Sequence, residues 1–326
     1  MREFTYLRPS TVEDAVAAGG AAEADYLAGG TTQLDLMKDG VLAPRTLVDV
    51  SRLELRGVRR DGELLRIGAM TTMAELAADP LVVERVPAVS EALLASASPQ
   101  LRNMATIGGN LLQRTRCRYF RDPSVRACNK RERGTGCAAQ SGGARMHAIL
   151  GAGPDCIAVH GSDLAVALTA LDARVRLRGQ AGERTVPLTE FYRVPGSTPD
   201  VETALAAGEL ITEVELPLPP PGTRSGYLKV RDRASYEFAL TSAAVALRLD
   251  GGTVAAAGLA LGGVGTVPWR APDAEAALRG REPSPEAFRA AAEAAVRDPF
   301  TVPGTEFKVE LAKRTLVRAL RTTAEG

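Results

Sequence analysis

The chain has 326 residues, 45% of them hydrophobic, and a formal net charge of +1. This length allows two or three domains, and the charge balance gives no global sign of nucleic-acid or membrane binding. The opening MREFTYLRPSTVEDA has no apolar core segment, and no apolar run nears the ~18 residues of a membrane span, so the expected compartment is the reducing cytoplasm.

Ser10, Thr11, Val12 and Glu13 form a capping-box pattern that predicts a short helix ending near Ala18. A strand is expected over 24–27, running into Ala28, Gly29, Gly30, Thr31 and Thr32, with a helix over 33–38. Residues 46–50 and 64–68 predict strands. Thr72 to Glu75 is a second capping box whose helix reaches Ala78 and is closed by Pro80, and a further helix covers 87–97. Short strands mixed with uneven helices indicate an α+β chain rather than a regular doubly wound sheet. Past a cysteine-bearing stretch, a strand is expected at 156–159, with a helix over 163–171 capped by Ser162. Paired strands follow at 174–178 and 184–188, then a strand at 210–216. Pro217, Leu218, Pro219, Pro220, Pro221 and Gly222 are the strongest linker signal. The expected division is therefore 1–216, a linker at 217–223 and a smaller α+β domain at 224–326. In the latter, a strand at 227–230 precedes a hairpin of 241–249 and 253–261 around Asp250, Gly251 and Gly252. Helices at 271–278, 285–296 and 306–322 complete it.

All four cysteines, Cys117, Cys128, Cys137 and Cys156, fall within one stretch of forty residues, separated by ten, eight and eighteen residues. Residues 114–146 show neither helical nor strand periodicity. A structureless loop of that length is uncommon unless something organises it, and a metal centre would supply the cross-links. The stretch carries nine cations against Asp122 and Glu132, a net +7 that would stabilise an anionic thiolate cluster. An iron–sulfur centre, a four-cysteine zinc site, and free thiols or disulfides all remain open from spacing. Zinc usually takes closely spaced cysteine pairs, which are absent here, and the expected compartment disfavours disulfides.

Two glycine turns carry hydroxyl neighbours: Ala28 to Thr32, and Thr106, Ile107, Gly108, Gly109 and Asn110. Glycine permits close backbone approach, and successive N–H groups at a helix start form an anion nest. One such turn is ordinary. Two in one domain point to a bound pyrophosphate, although neither matches the Rossmann or P-loop pattern.

The order AGGTTQLDLM, ATIGGNLLQRTRCRYFRDP, four cysteines and CIAVHGSDLAVALTALDARV resembles the FAD-binding medium subunit of the xanthine dehydrogenase and molybdenum hydroxylase family. The cysteine stretch resembles the version with an extra 4Fe-4S cluster, as in three-subunit bacterial aldehyde oxidoreductases. The beta subunit of 4-hydroxybenzoyl-CoA reductase, which also has a cluster insertion, is the alternative. The resemblance implies a PCMH-type FAD-binding domain of two α+β lobes, with a cluster loop at about 114–156, and a C-terminal domain like that of carbon monoxide dehydrogenase flavoproteins. By the same resemblance, FAD is held by Leu27, Ala28, Gly29, Gly30, Thr31, Thr32, Gln33 and Leu34, and by Thr106, Gly109 and Asn110. Asp163, Leu210 and Lys229 complete the site. Read locally, those last three are a first-turn helix Asp, a core Leu and a solvated strand Lys. Tyr236 lies on a loop within reach of the isoalloxazine. Cys117, Cys128, Cys137 and Cys156 would ligate the cluster, with neither His147 nor His160 as a ligand.

The function implied is electron transfer. Partner subunits would carry a molybdenum cofactor and two 2Fe-2S clusters, and this chain would pass electrons through FAD to an external acceptor, with no catalytic residue of its own for the substrate. Such a complex can also be exported folded on a partner's signal, which keeps a periplasmic location as the alternative. Two rivals stand beside this reading: a free-standing flavoenzyme, and a zinc-stapled binding module whose basic loop docks an anionic partner such as RNA. With only Tyr119 and Phe120 as aromatics, that loop is poorly suited to base stacking.

Overall fold

Three sheets, each with its own helices, account for most of the chain in the computed structural model, which describes residues 1–325. The first is parallel: Thr46–Asp49 lies between Thr5–Leu7 and Ala24–Leu27. The helices Val12–Gly19 and Gln33–Lys38 connect or follow these strands. The second is antiparallel and five-stranded, in the order Val58–Asp61, Leu64–Gly68, Leu210–Pro217, Arg174–Gly179 and Gly182–Pro187. Its central strand, Leu210–Pro217, comes from far along the chain, so the intervening cysteine stretch is an excursion that both starts and ends beside this sheet. Val214 and Leu216 on that strand pack with Leu65, Ile67, Val175 and Leu177 in one buried core.

The third sheet is a four-stranded antiparallel meander of Thr223–Val230, Thr241–Asp250, Thr253–Gly262 and Trp269–Arg270. Residues 241–247 are buried without interruption, unlike a strand with one solvated face. Ala243, Val245 and Leu247 face the core under the helices Pro272–Leu278, Pro285–Ala295 and Phe307–Glu325. Ala244 and Ala246 face the core of the first two-thirds of the chain, together with the helix Asp163–Ala170. Small residues on that side let helix and sheet come close. A Cβ placed on Gly258 would lie 2.2 Å from the Ala170 carbonyl oxygen.

Several boundaries differ from expectation for physical reasons. Thr11, not Ser10, caps the first helix, because its hydroxyl pairs with Asp14 at the third helical position. The helix Met73–Ala78 ends before Pro80 as expected, and Pro80 also opens an unexpected helix, Pro80–Arg85, with Asp79 as its cap. Proline is tolerated in a first turn, where its missing N–H has no partner to lose. The second glycine turn is itself a short helix, Ile107–Leu111, capped by the Thr106 hydroxyl. Residues 156–159 form no strand; Cys156 makes only an isolated bridge to Gly153. Thr5–Leu7 and Val58–Asp61 were not anticipated, since both are short and largely exposed. The proline run after Pro217 is not loose at its start, where buried Leu218 donates its N–H to Glu63 O.

Among the described residues no helix is long and apolar enough to cross a membrane. Substituting Gly258→Ala is expected to separate the C-terminal sheet from the helix Asp163–Ala170, at a cost of about 1–3 kcal/mol. Denaturant unfolding checks this, and Gly251→Ala in the open hairpin turn serves as the control for backbone strain alone.

Candidate cofactor site

The first glycine loop is shaped by two constraints. A Cβ on Gly29 would meet the Met104 carbonyl oxygen at 2.0 Å, and Gly30 has φ +71. Thr32 then starts the helix Gln33–Lys38 without using its side chain as a cap. Leu34 N–H bonds to Gly30 O, while among the described residues no backbone carbonyl accepts from Thr31, Thr32 or Gln33. Three adjacent N–H groups are therefore left for an anion. Leu27 and Leu34 pack behind Gly30 as its support. Ala28 to Gln33, Thr106, Gly109 and Leu210 line one cavity of about 310 Å³.

A second cavity, of about 230 Å³, shares Thr31, Thr32 and Gly109 with the first and extends to Asn110, Asp163, Lys229 and Tyr236. Apart from Leu27 and Leu34, which line neither cavity, the expected flavin residues line these two neighbouring cavities between the two glycine turns and the C-terminal sheet. Their roles are unequal. Thr106 is occupied as a cap, accepting from Gly109 N–H. The Asn110 amide oxygen accepts from Ser162 Oγ at 2.5 Å, clasping the second turn to the helix that bears Asp163.

Asp163 is 6% exposed and is the polar centre of the depression. It accepts from Ser96 Oγ at 2.7 Å, Tyr227 Oη at 2.6 Å and Lys229 Nζ at 2.8 Å. The plain reading of Lys229 as a solvated strand residue is overturned. Its side chain is nearly enclosed, and its ammonium also donates to Ala95 O. Burial, then the Asp163 charge, raises Tyr227 well above the ordinary phenol range, so it stays a hydroxyl donor. Ser96 and Tyr227 carry no sequence signal, being a residue just past a helix end and an ordinary strand aromatic. Tyr236 is 55% exposed at the cavity mouth, with φ +52, a conformation that side chains other than Gly rarely take.

A third cavity, of about 410 Å³, shares Arg116, Asp163 and Phe238 with the second and reaches Cys117 and His147. Here the cysteine stretch is mostly irregular, as expected, with a short helix Arg118–Arg121 and a 3-10 turn Ala138–Gln140. It is held by its own polar contacts. Asn129 Oδ1 accepts from Gly134 and Gly136 N–H, closing the loop between Cys128 and Cys137, which form an isolated bridge. The Arg131 guanidinium donates to the carbonyls of Tyr119, Phe120 and Val125.

None of the four cysteines is joined in a disulfide. Burial pushes Cys117 up to about 11, opposed by the N–H groups of Phe120 and Tyr119, with Cys128 and Cys156 adding to the rise. Burial likewise raises Cys156, with Lys130 opposing and Cys137 and Cys128 adding. Backbone N–H groups face two of the sulfurs, and thiolates are soft donors of the kind that ligate iron. Among the described residues, no three His, Cys, Asp or Glu side chains approach closely enough to share one ion.

The expected free basic surround is largely neutralised. Arg114 and Lys130 pair with Glu202, Arg116 and Arg121 with Asp35, Arg133 with Asp200, and Arg145 with Asp232. Six of the nine cations thus face carboxylates outside the stretch, which leaves little charge for docking an anionic polymer.

Residues 2–219 match the family described as FAD binding domain in molybdopterin dehydrogenase, and residues 226–323 match the CO dehydrogenase flavoprotein C-terminal domain. The chain is 46% identical over 324 residues to the aldehyde oxidoreductase FAD-binding subunit PaoB of Escherichia coli strain K12, covering 98% of each. It is 31% identical to the carbon monoxide dehydrogenase medium chain of Hydrogenophaga pseudoflava, covering 90% of this chain and 86% of that one. A solved carbon monoxide dehydrogenase from the same organism superposes with a TM-score of 0.79 at 30% identity, covering 99% of this chain and 98% of that one. Replacing Lys229 by Met is expected to strand the Asp163 carboxylate with hydroxyl donors only. That should lower stability by about 3–5 kcal/mol and reduce retained flavin, as read by unfolding and by the flavin-to-protein absorbance ratio.

Proposed function

Since the chain belongs to the FAD-binding subunits of the molybdenum hydroxylase family, we propose that it is the flavin and iron–sulfur subunit of a three-subunit aldehyde oxidoreductase. The substrate site of such an enzyme lies on another subunit. In this reading a large subunit carries the molybdenum cofactor, and a small subunit carries two 2Fe-2S clusters. FAD supplies two-electron storage beside one-electron centres, and a 4Fe-4S cluster supplies a further one-electron centre.

The chain's own residues have distinct tasks. The N–H groups of Thr31, Thr32 and Gln33 bind the cofactor's diphosphate, while Gly29 and Gly109 keep the backbone close. Leu210 walls the cavity. Asp163 and Lys229 fix the polar edge where the flavin ring lies, and Tyr236 screens its open side. Cys117, Cys128, Cys137 and Cys156 hold the cluster. A single four-coordinate zinc needs its sulfurs about 2.3 Å from one ion. Four cysteine thiolates are the usual ligand set of a 4Fe-4S cluster, and the closely spaced cysteine pairs usual for structural zinc are absent from the sequence.

The observation that supports this reading is a series of neighbouring cavities that share wall residues, from the glycine loop, past Asp163, to Cys117. It is consistent with flavin and cluster in adjoining positions in one chain. The 46% identity to an aldehyde oxidoreductase subunit favours that class over a 4-hydroxybenzoyl-CoA reductase-like complex.

An absorption spectrum of anaerobically purified protein, with iron and zinc analysis, tests the assignment. Flavin bands over a broad iron–sulfur shoulder, with about four irons and no zinc, are expected. Flavin with zinc, or flavin without iron after anaerobic reconstitution, would overturn the cluster.

A further inference from the structure

Cys128 and Cys137 face each other across an isolated antiparallel bridge. Asn129 N–H donates to Gly136 O at 2.7 Å, and Ala138 N–H donates to Ala127 O at 2.9 Å. These two bonds flank the pair and do not involve the backbone of either cysteine. This is the non-hydrogen-bonded type of antiparallel pair, in which the Cα atoms stand about 4.5 Å apart and the two side chains leave on the same face. A disulfide spans Cα atoms about 4.4–6.8 Å apart. The backbone therefore holds these two residues at a disulfide's spacing. Among the described residues no other two cysteines share a bridge.

The turn that joins them is fixed before any bond forms. Asn129 Oδ1 accepts from Gly134 and Gly136 N–H, and Thr135 Oγ1 accepts from Cys128 N–H at 3.1 Å. Arg131 and Glu132 N–H both donate to Cys128 O. Gly134 and Gly136, with φ +88 and +93, let the chain reverse. Closing a ring here costs little chain entropy, because the folded turn has already lost it. As thiols the two side chains pack apart, Cys128 with Leu36 and Phe120, and Cys137 against the group of Ala139, Ala144 and Ile157. Joining them takes rotation of each side chain about its Cα–Cβ bond.

The other two cysteines are less suited to this chemistry. Burial pushes Cys117 up to about 11 and also raises Cys156. Both are therefore held as thiols, whereas the thiolate is the form that attacks a disulfide. Cys128 is buried, but Cys137 is only half-buried, which gives an external reagent its point of entry.

We propose that Cys128 and Cys137 form a reversible redox pair in the metal-free chain, with a small-molecule disulfide as the oxidant. The Cys137 thiolate attacks one sulfur of that disulfide and releases one small thiol. The Cys128 thiolate then attacks the Cys137 sulfur of the mixed disulfide and releases the second. Two protein thiols and one small disulfide thus become one protein disulfide and two small thiols, and excess thiol reverses the exchange. The pairing needs no bound metal, and while it lasts both sulfurs are withdrawn from any metal centre.

The test is thiol counting and peptide mapping of the full chain, purified anaerobically, freed of metal with a chelator, reduced, desalted and exposed to oxidised glutathione. Trypsin cuts after Arg126, Lys130, Arg133 and Arg145, which puts Cys128 and Cys137 in different peptides, 127–130 and 134–145. The expected result is a fall in alkylatable thiols from all four to two, with those two peptides linked until dithiothreitol is added. Cys117→Ser and Cys156→Ser should keep the link, and Cys128→Ser should instead trap glutathione on Cys137. Four alkylatable thiols after oxidation, glutathione left on Cys137 of the wild-type chain, or a wild-type link through Cys117 or Cys156 overturns the pairing. The wild-type map decides even where a variant fails to fold. Iron content before chelation reads the cluster assignment separately, so either can fail while the other stands.

Discussion

Everything near the cofactor depression depends on one enclosed carboxylate. Asp163 starts a helix that belongs to the first two-thirds of the chain, while Tyr227 and Lys229, two of its three partners, stand on the C-terminal sheet. A charge so buried is tolerable only when its hydrogen-bonding capacity is filled. The two parts of the chain must therefore meet in one register, because any slip of the strand Thr223–Val230 turns Tyr227 and Lys229 away. The same contact sets the width of the depression between the glycine turns and the sheet. Ser162 extends the constraint, capping the Asp163 helix and clasping Asn110.

Much of this was legible in the sequence where a residue type has few alternative uses. Gly29 and Gly30 beside two threonines marked a constrained turn, because close approach and positive φ exclude most other residues. The hairpin around Gly251 and Gly252 and the capping box at Thr72 were readable for the same reason. Asp163 and Lys229 came from family resemblance; locally they read as a helix cap acid and a surface lysine. Their pairing is long-range, and periodicity carries no information about it. Ser96 left no trace at all.

The cysteine stretch shows a different limit. Composition marked it as irregular and cationic, and suggested that a metal was needed to order it. The fold adds two sources of order that composition hides. Asn129 and Arg131 gather backbone groups within the stretch, and carboxylates from four other places in the chain, Asp35, Asp200, Glu202 and Asp232, collect its arginines and lysine. Net charge was thus a poor guide to local potential, since the partners of each cation lie far away in sequence. The two histidines show the same thing, for proximity to a cysteine in sequence did not distinguish His147, which touches Cys117, from His160, which stacks edge-on against Tyr192.

The doubly covered strand Thr241–Asp250 has a consequence for how the molecule comes together. With Ala244 and Ala246 sealed against one core and Val245 and Leu247 against the other, this stretch of the strand has no face to offer water. Hinged opening would bare apolar surface on both sides of the seam, so the halves do not behave as a clamshell around the flavin. The prosthetic group has either to be present as the seam closes or to thread in past the Tyr236 loop. By either route, the seam between the two cores is shut once the flavin is in place.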